Sequence, residues 1–141
     1  MGAVTDLPEN MSVLAQRKDI DFIVGDWMSE YNMASRGSMK AALSTSDDSG
    51  EAAFEINFLE SIEPCLASLA TNGIKVAVNA GACDTERLHE QLVDRIQQQG
   101  LDLKVAWIEG DEVHDIIGKS RREGMKFRNI TTGKTYPCEL N

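Results

Sequence analysis

The hydrophobic pattern of this chain changes period several times, and each change predicts an element. Three short runs rich in valine and isoleucine each end at a glycine in a polar or acidic loop: "DFIVG" (Asp21–Gly25), "IKVAVNAG" (Ile74–Gly81) and "LKVAWIEG" (Leu103–Gly110). Near-continuous apolar runs of this length predict buried strands. Between the second and third lies "DTERLHEQLVDRIQQQG", in which Leu88, Leu92 and Ile96 recur every four residues. Asp84 or Thr85 is placed to cap the start of that helix, and Gly100 to close it in the left-handed conformation. The product is a strand–helix–strand unit. Buried strands joined this way imply a parallel sheet covered on both faces.

Upstream, Ser29 to Leu43 reads as a helix with Met33 and Met39 inward and Gly37 as its weak point. "STSDDSGE" (Ser44–Glu51) has the composition of a flexible surface loop. Phe54, Phe58, Leu59, Ile62, Leu66 and Leu69 then form a helical stripe that Pro64 kinks or restarts and Asn72-Gly73 ends. The tail "MKFRNITTGKTYPCEL" alternates around Thr132-Gly133, which predicts a small hairpin over residues 125–139. The expected fold is therefore a single α/β domain over residues 1–141 with a loop near 44–52. Its centre is a Rossmann-like open parallel sheet of about three to four strands with helices on both faces, and the C-terminal β-hairpin follows.

Composition narrows the function classes. A chain of 141 residues can bury one real core without staples. Its formal charge of −9 and pI near 4.6 argue against nucleic acid, which demands a basic stripe. One basic cluster exists, Lys119, Arg121, Arg122, Lys126 and Arg128, interrupted by Glu123 and Gly124. It reads as a solvated face or a local anion site. No apolar run reaches the roughly 18 residues of a membrane span. The N-terminus lacks a leader pattern, and Asp6 stands where a myristoylation signal needs Ser or Thr. Cys65, Cys83 and Cys138 are odd in number and share no metal-type spacing, so they read as reduced thiols. The expectation is a cytoplasmic protein with no metal, no cofactor, no nucleic acid and no membrane partner.

Ligands of open α/β sheets bind beyond the carboxyl ends of the strands. The first strand delivers Asp26, Trp27, Glu30, Tyr31, Asn32 and Met33 there. The second brings Asn79, Gly81, Cys83 and Asp84, and the third Trp107, Glu109, Asp111 and Glu112, with His114 a turn further on. Carboxylates held close raise one another's pKa and give an acid beside a base. Asp26 with Glu109 or Asp111 fits that reading; aspartates at such turns also serve as ordinary helix caps. "NAGACDT" is either a tight packing turn or a loop whose amides approach a ligand, and it lacks both dinucleotide and P-loop spacing. Cys83 starts a helix, where thiol pKa values fall, but His89 and His114 are remote from it in sequence.

Three ordered blocks carry a resemblance: "DFIVGDWMSEYNM", "FLESIEPCLASLATNGIKVAVNAGACDTERL" and "LKVAWIEGDEV". They resemble the N-terminal part of the acyclic terpene utilisation family, fungal-type members in particular, over Leu7 to Val113 and more loosely the tail. The resemblance implies a link to breakdown of acyclic isoprenoids such as citronellol and geraniol. It points to Gly25, Asp26, Glu30, Asn32, Asn79, Gly81, Asp84, Glu109, Gly110 and Asp111 as matching polar and glycine positions. It also implies that this chain is trimmed at both ends relative to the family, without its first strand. An exposed sheet edge invites pairing, so the expectation is a homodimer.

Three functions follow from these readings. The first is a small cofactor-independent enzyme, of isomerase, cyclase or dehydratase type, acting on an apolar terpenoid or polyketide-like small molecule in secondary metabolism. Its catalytic acids would be Asp26, Glu109, Asp111 and Glu30. Trp27, Tyr31, Asn32, Met33, Asn79, Gly81, Cys83, Asp84 and Trp107 would bind the substrate. The second is a component of isoprenoid catabolism, acting on an isoprenoid acid or its coenzyme A thioester with a partner chain. The third is a non-catalytic binding module.

Overall fold

The structure is a computed structural model that describes residues 6–43 and 52–135, without the side chains of 41–43. The loop expected near residues 44–52 lies almost wholly outside that range. The chain divides into two compact units, residues 1–108 and 109–141.

In the first unit the order is α1 (Glu9–Ala15), β1 (Phe22–Gly25), α2 (Glu30–Leu43), α3 (Ile56–Ile62), a 3-10 turn (Glu63–Cys65), α4 (Leu66–Asn72), β2 (Lys75–Val78) and α5 (Thr85–Gln98). The stripe from Phe54 to Leu69 is broken where Pro64 removes a backbone donor, and the 3-10 turn there joins two seven-residue helices. Both expected glycine stops form. Gly73 has φ +67°, with the Ile74 N–H donating to the Leu69 carbonyl. Gly100 has φ +63°, with Leu101 N–H donating to Ile96. A side chain at either position would strain against its own carbonyl.

β1 and β2 pair in parallel, with Phe22 opposite Lys75 and Gly25 opposite Val78. Because side chains alternate across a strand, Ile23, Val76 and Val78 share one face with the core, which also holds Met11, Trp27, Phe58, Leu59, Leu66, Leu88, Leu92 and Ile96. α1 packs against α3 and α4, and the Asn72 amide ties the end of α4 to the Ala15 carbonyl at 2.9 Å. The other face carries Phe22, Val24, Lys75 and Ala77, all exposed. Among the described residues of this unit, the helices pack on the Ile23 face.

The third expected strand, Leu103–Gly110, forms no ladder among the described residues. Leu101, Leu103 and Val105 are half-buried against the core while Asp102, Lys104 and Ala106 are exposed. This is one-sided alternation, not the two-sided burial of a central parallel strand. Its anchor is His89 on α5, which is half-buried. The ring nitrogen Nε2 lies 3.3 Å from the Val105 carbonyl, and the ring packs on Trp107 with centroids 4.5 Å apart.

In the second unit one helix is described, α6 (His114–Arg122), which the apolar pattern did not signal. Just before it, the Glu112 carboxylate accepts from the His114 N–H at 2.8 Å. The expected hairpin is reduced to a single antiparallel bridge, Arg128 to Thr135. Asn129 Oδ1 collects the N–H groups of Thr131 and Thr132, and Gly133 supplies the positive φ of the turn. Residues 136–139 of that expectation lie outside the described range. No described helix is long and apolar enough to cross a membrane.

Candidate functional site

The carboxyl ends of β1 and β2 are joined by one side chain, Asn79. Its Oδ1 accepts from the Trp27 backbone N–H at 2.6 Å, and its Nδ2 donates to Asp26 Oδ1 at 2.7 Å. Asp26 Oδ1 also accepts from the Met28 N–H at 3.3 Å. Parallel register sets this up, because Gly25 and Val78 are opposite and the next residues of both strands therefore leave the sheet side by side. Both ends of the Asn79 amide are engaged within the protein, which makes it a clamp.

The clamp acts on charge. The Asn79 hydrogen bond first, and the Met28 amide second, hold the Asp26 carboxyl below the usual carboxylate range, against a small opposing effect of burial. The direction is opposite to that expected of an acid–base pair sharing a proton. Asp26 is therefore a carboxylate throughout the neutral range and not a proton donor. A group whose pKa falls on folding contributes stability above its unfolded value and loses it as pH drops through the folded one. A carbon-detected NMR titration is expected to place the Asp26 midpoint below that of an unpaired aspartate. In Asn79→Ala the midpoint should move back up, and an unchanged midpoint would remove the clamp from the account.

Behind Asp26 the chain turns into the core. Trp27 is 3% exposed and meets the Phe58 ring edge-on at 5.5 Å, with its indole N–H lacking an acceptor among the described residues. Burying such a donor unpaired costs roughly 1–3 kcal/mol. Asn32, also buried, donates to the Trp27 carbonyl at 3.1 Å, and Ser29 Oγ caps α2 by accepting from the Asn32 N–H. Glu30 is exposed in the first turn of α2, and Tyr31 is 80% exposed. Met33 is half-buried, and its carbonyl lies 3.9 Å from the Cys83 thiol.

The loop after β2 is built for close packing. A Cβ on Gly81 would come within 2.4 Å of Thr85 Oγ1, so glycine is needed there for the approach of α5. Ala82 holds a positive φ of 48°. Asp84 occupies the cap position of α5 with no side-chain cap hydrogen bond. Cys83 receives the Lys40 ammonium on its carbonyl at 2.7 Å, and its N–H donates to the Ala53 carbonyl.

Sequence reasoning missed one feature of this edge. Glu55, 3% exposed, accepts a two-pronged contact from the Arg36 guanidinium at 3.1 and 3.3 Å, while its own N–H donates to the Ala80 carbonyl. The pair fastens α2 to the loop that carries Cys83. A single glutamate ahead of an apolar helix was the only signal available. In the second unit, Glu109 and Asp111 are exposed. Trp107, the last but one residue of the first unit, is 39% exposed on His89. An open depression lined by Glu60, Glu63, Pro64 and Gln99 lies by the C-terminal end of α5, the end opposite the Asn79–Asp84 loop.

A family model described as "Acyclic terpene utilisation family protein AtuA" matches residues 1–140. The chain belongs to the acyclic terpene utilisation family. No curated protein and no solved structure matches it. The family match reaches past the blocks that first suggested it, taking in α6 and the Asn129–Gly133 turn of the second unit. In this member of the acyclic terpene utilisation family, the clamp at Asp26, Trp27 and Asn79 joins two of the three sequence blocks through direct hydrogen bonds.

Proposed function

We propose that this chain is a small enzyme that rearranges an oxygenated, otherwise apolar terpenoid or polyketide-like molecule by proton transfer, without a cofactor. The carrying observation is the Asp26 carboxylate, kept ionised by Asn79 and the Met28 amide at the end of β1. Lowering its pKa weakens it as a base toward ordinary C–H bonds. Protons next to a carbocation are acidic enough for such a base, and a fixed negative charge stabilises the cation that precedes their loss.

In this reading Glu30, in the first turn of α2 four residues after Asp26, protonates an alkene or a leaving oxygen of the substrate, creating the cation. Asp26 then removes a proton from the adjacent carbon and a double bond forms. If an alkene is protonated the outcome is isomerisation or cyclisation; if a hydroxyl leaves as water it is dehydration. The Trp27 indole N–H is the donor for the substrate oxygen. Met33 contributes apolar wall, while Asn32, Asn79, Gly81, Cys83 and Asp84 hold the rim in shape.

Incubating the purified chain in D2O with acyclic prenyl alcohols and aldehydes tests this. One deuteron should enter each isomerised or cyclised product. Isomerisation or cyclisation without deuterium would sink the proton-transfer scheme. The family match favours a second reading, action on an isoprenoid acid or its coenzyme A thioester with a partner chain. That reading is favoured if only the acid or thioester is consumed.

A further inference from the structure

The turn of the second unit has an apolar tip. Ile130 is 102% exposed there, and Met125 and Phe127, on the way into the turn, are 58% and 38% exposed. The turn is held by its own polar groups. The Asn129 N–H donates to the Lys134 carbonyl at 2.9 Å and the Gly133 N–H to the Asn129 carbonyl at 2.8 Å. Asn129 Oδ1 takes the N–H groups of Thr131 and Thr132, and the Lys134 N–H donates to Thr132 Oγ1 at 3.4 Å.

A lone exposed isoleucine is ordinary on a soluble protein. Its surroundings set this one apart. All six bases of residues 109–141, Lys119, Arg121, Arg122, Lys126, Arg128 and Lys134, fall in a stretch that holds one acid, Glu123. Glu123 is 4.0 Å from Lys119, and among the described residues the other five bases enter no ion pair. Arg128 and Lys134 stand at the base of the turn, where Arg128 bridges Thr135 and Lys134 accepts from Asn129.

We infer that this turn is a membrane-surface contact: Ile130 enters the headgroup region of a bilayer containing anionic lipid, and Lys126, Arg128 and Lys134 engage the lipid phosphates around it. The interface selects each part. A backbone donor taken out of water unpaired is costly, and the N–H groups of Asn129 and of Thr131 to Lys134 already have partners inside the turn. Lysine and arginine keep their heads among the phosphates while their stems lie along apolar groups. No described helix is long and apolar enough to span a bilayer, and none is needed, because buried apolar area and basic charge together bind one leaflet. Single-stranded nucleic acid fits less well, since it is held by aromatic stacking and would leave the aliphatic tip in water. Each base near an anionic leaflet strengthens binding about fivefold. Burying an isoleucine adds roughly tenfold or more.

Co-sedimentation of the full chain with large vesicles tests this and needs no turnover, so its result is independent of the proposed chemistry. Binding is expected on phosphatidylcholine vesicles that contain phosphatidylserine, far less on phosphatidylcholine alone, and less again as salt is raised. Ile130→Ser should weaken it roughly tenfold and Ile130→Leu should leave it as in the wild type. Arg128→Gln should weaken it about fivefold. Both positions are exposed, so the circular dichroism spectrum should not change. Absence of binding to the anionic vesicles overturns the inference. So does binding that Ile130→Ser leaves intact, or tighter binding to a single-stranded oligonucleotide than to the vesicles, which would give the bases to nucleic acid.

Discussion

Asp26→Asn is expected to reduce turnover by about 10²–10⁴-fold, the range a positioned proton-transfer group supplies, while leaving the fold intact. The fold survives because the substituted amide keeps an oxygen where Asn79 Nδ2 and the Met28 N–H now donate. What disappears is the negative charge and the proton acceptor. Glu30→Gln should cause a loss of similar size by removing the proton donor, and the double variant should lose little more than either single one, because the two act in one sequence. Rates on whichever prenyl substrate is turned over, with melting temperatures alongside, decide it. Activity that survives both substitutions eliminates the scheme. Retained substrate binding without chemistry in Asp26→Asn would strengthen it.

The second large effect is on stability. Arg36→Met is expected to destabilise the first unit by about 3 kcal/mol, since it leaves the Glu55 carboxylate buried without its cation. Arg36 itself is about one-fifth exposed, which keeps the figure at the lower end of that range. Changing both partners, Arg36→Met with Glu55→Met, should recover most of the loss, because two apolar groups of similar volume need no pairing. Urea unfolding measures both variants. A single variant that unfolds at the wild-type midpoint would mean that the pair is solvated and holds nothing together.

The parts of the fold that could be read in the sequence are those that depend on neighbours in the chain. The four-residue recurrence of Leu88, Leu92 and Ile96, the break at Pro64 and the stops at Gly73 and Gly100 are local signals, and all appear in the structure. The segment from Leu103 was misread because valine and tryptophan suggested a two-sided strand, whereas Asp102 and Lys104 already marked one side as wet. α6 escaped notice because its apolar stripe is only Val113, Ile116 and Ile117 in a charged stretch.

For the candidate site, the meeting of Asp26 with Asn79 followed from where strands end, but its consequence did not. Residue types alone suggested carboxylates raising each other's pKa. Whether a carboxylate is pushed up or down depends on which donors face it, and the amide that faces Asp26 comes from 53 residues away. The Arg36–Glu55 pair is likewise a product of how α2 lies over the loop after β2. No local pattern encodes that.

The separation across the clamp bears on how the first unit comes to be folded. α3, the 3-10 turn and α4 are continuous in the chain, but their packing on α1 joins distant segments, with Ser12 meeting Cys65 53 residues away and Asn72 reaching Ala15 57 residues away. The polar ties between the two strand ends close loops of similar length: 52 residues for Trp27 to Asn79, 50 for Met33 to Cys83, and 43 for Lys40 to Cys83. Closing a loop of that length costs roughly 3.5 kcal/mol of chain entropy before any of those bonds is gained. Each helix can therefore form locally before any such loop closes, while the docking of α1 and the strand pair with its clamp wait for the slowest step. Refolding followed by tryptophan fluorescence should lag behind the recovery of helical circular dichroism, and coincident traces would mean that helices and clamp form together.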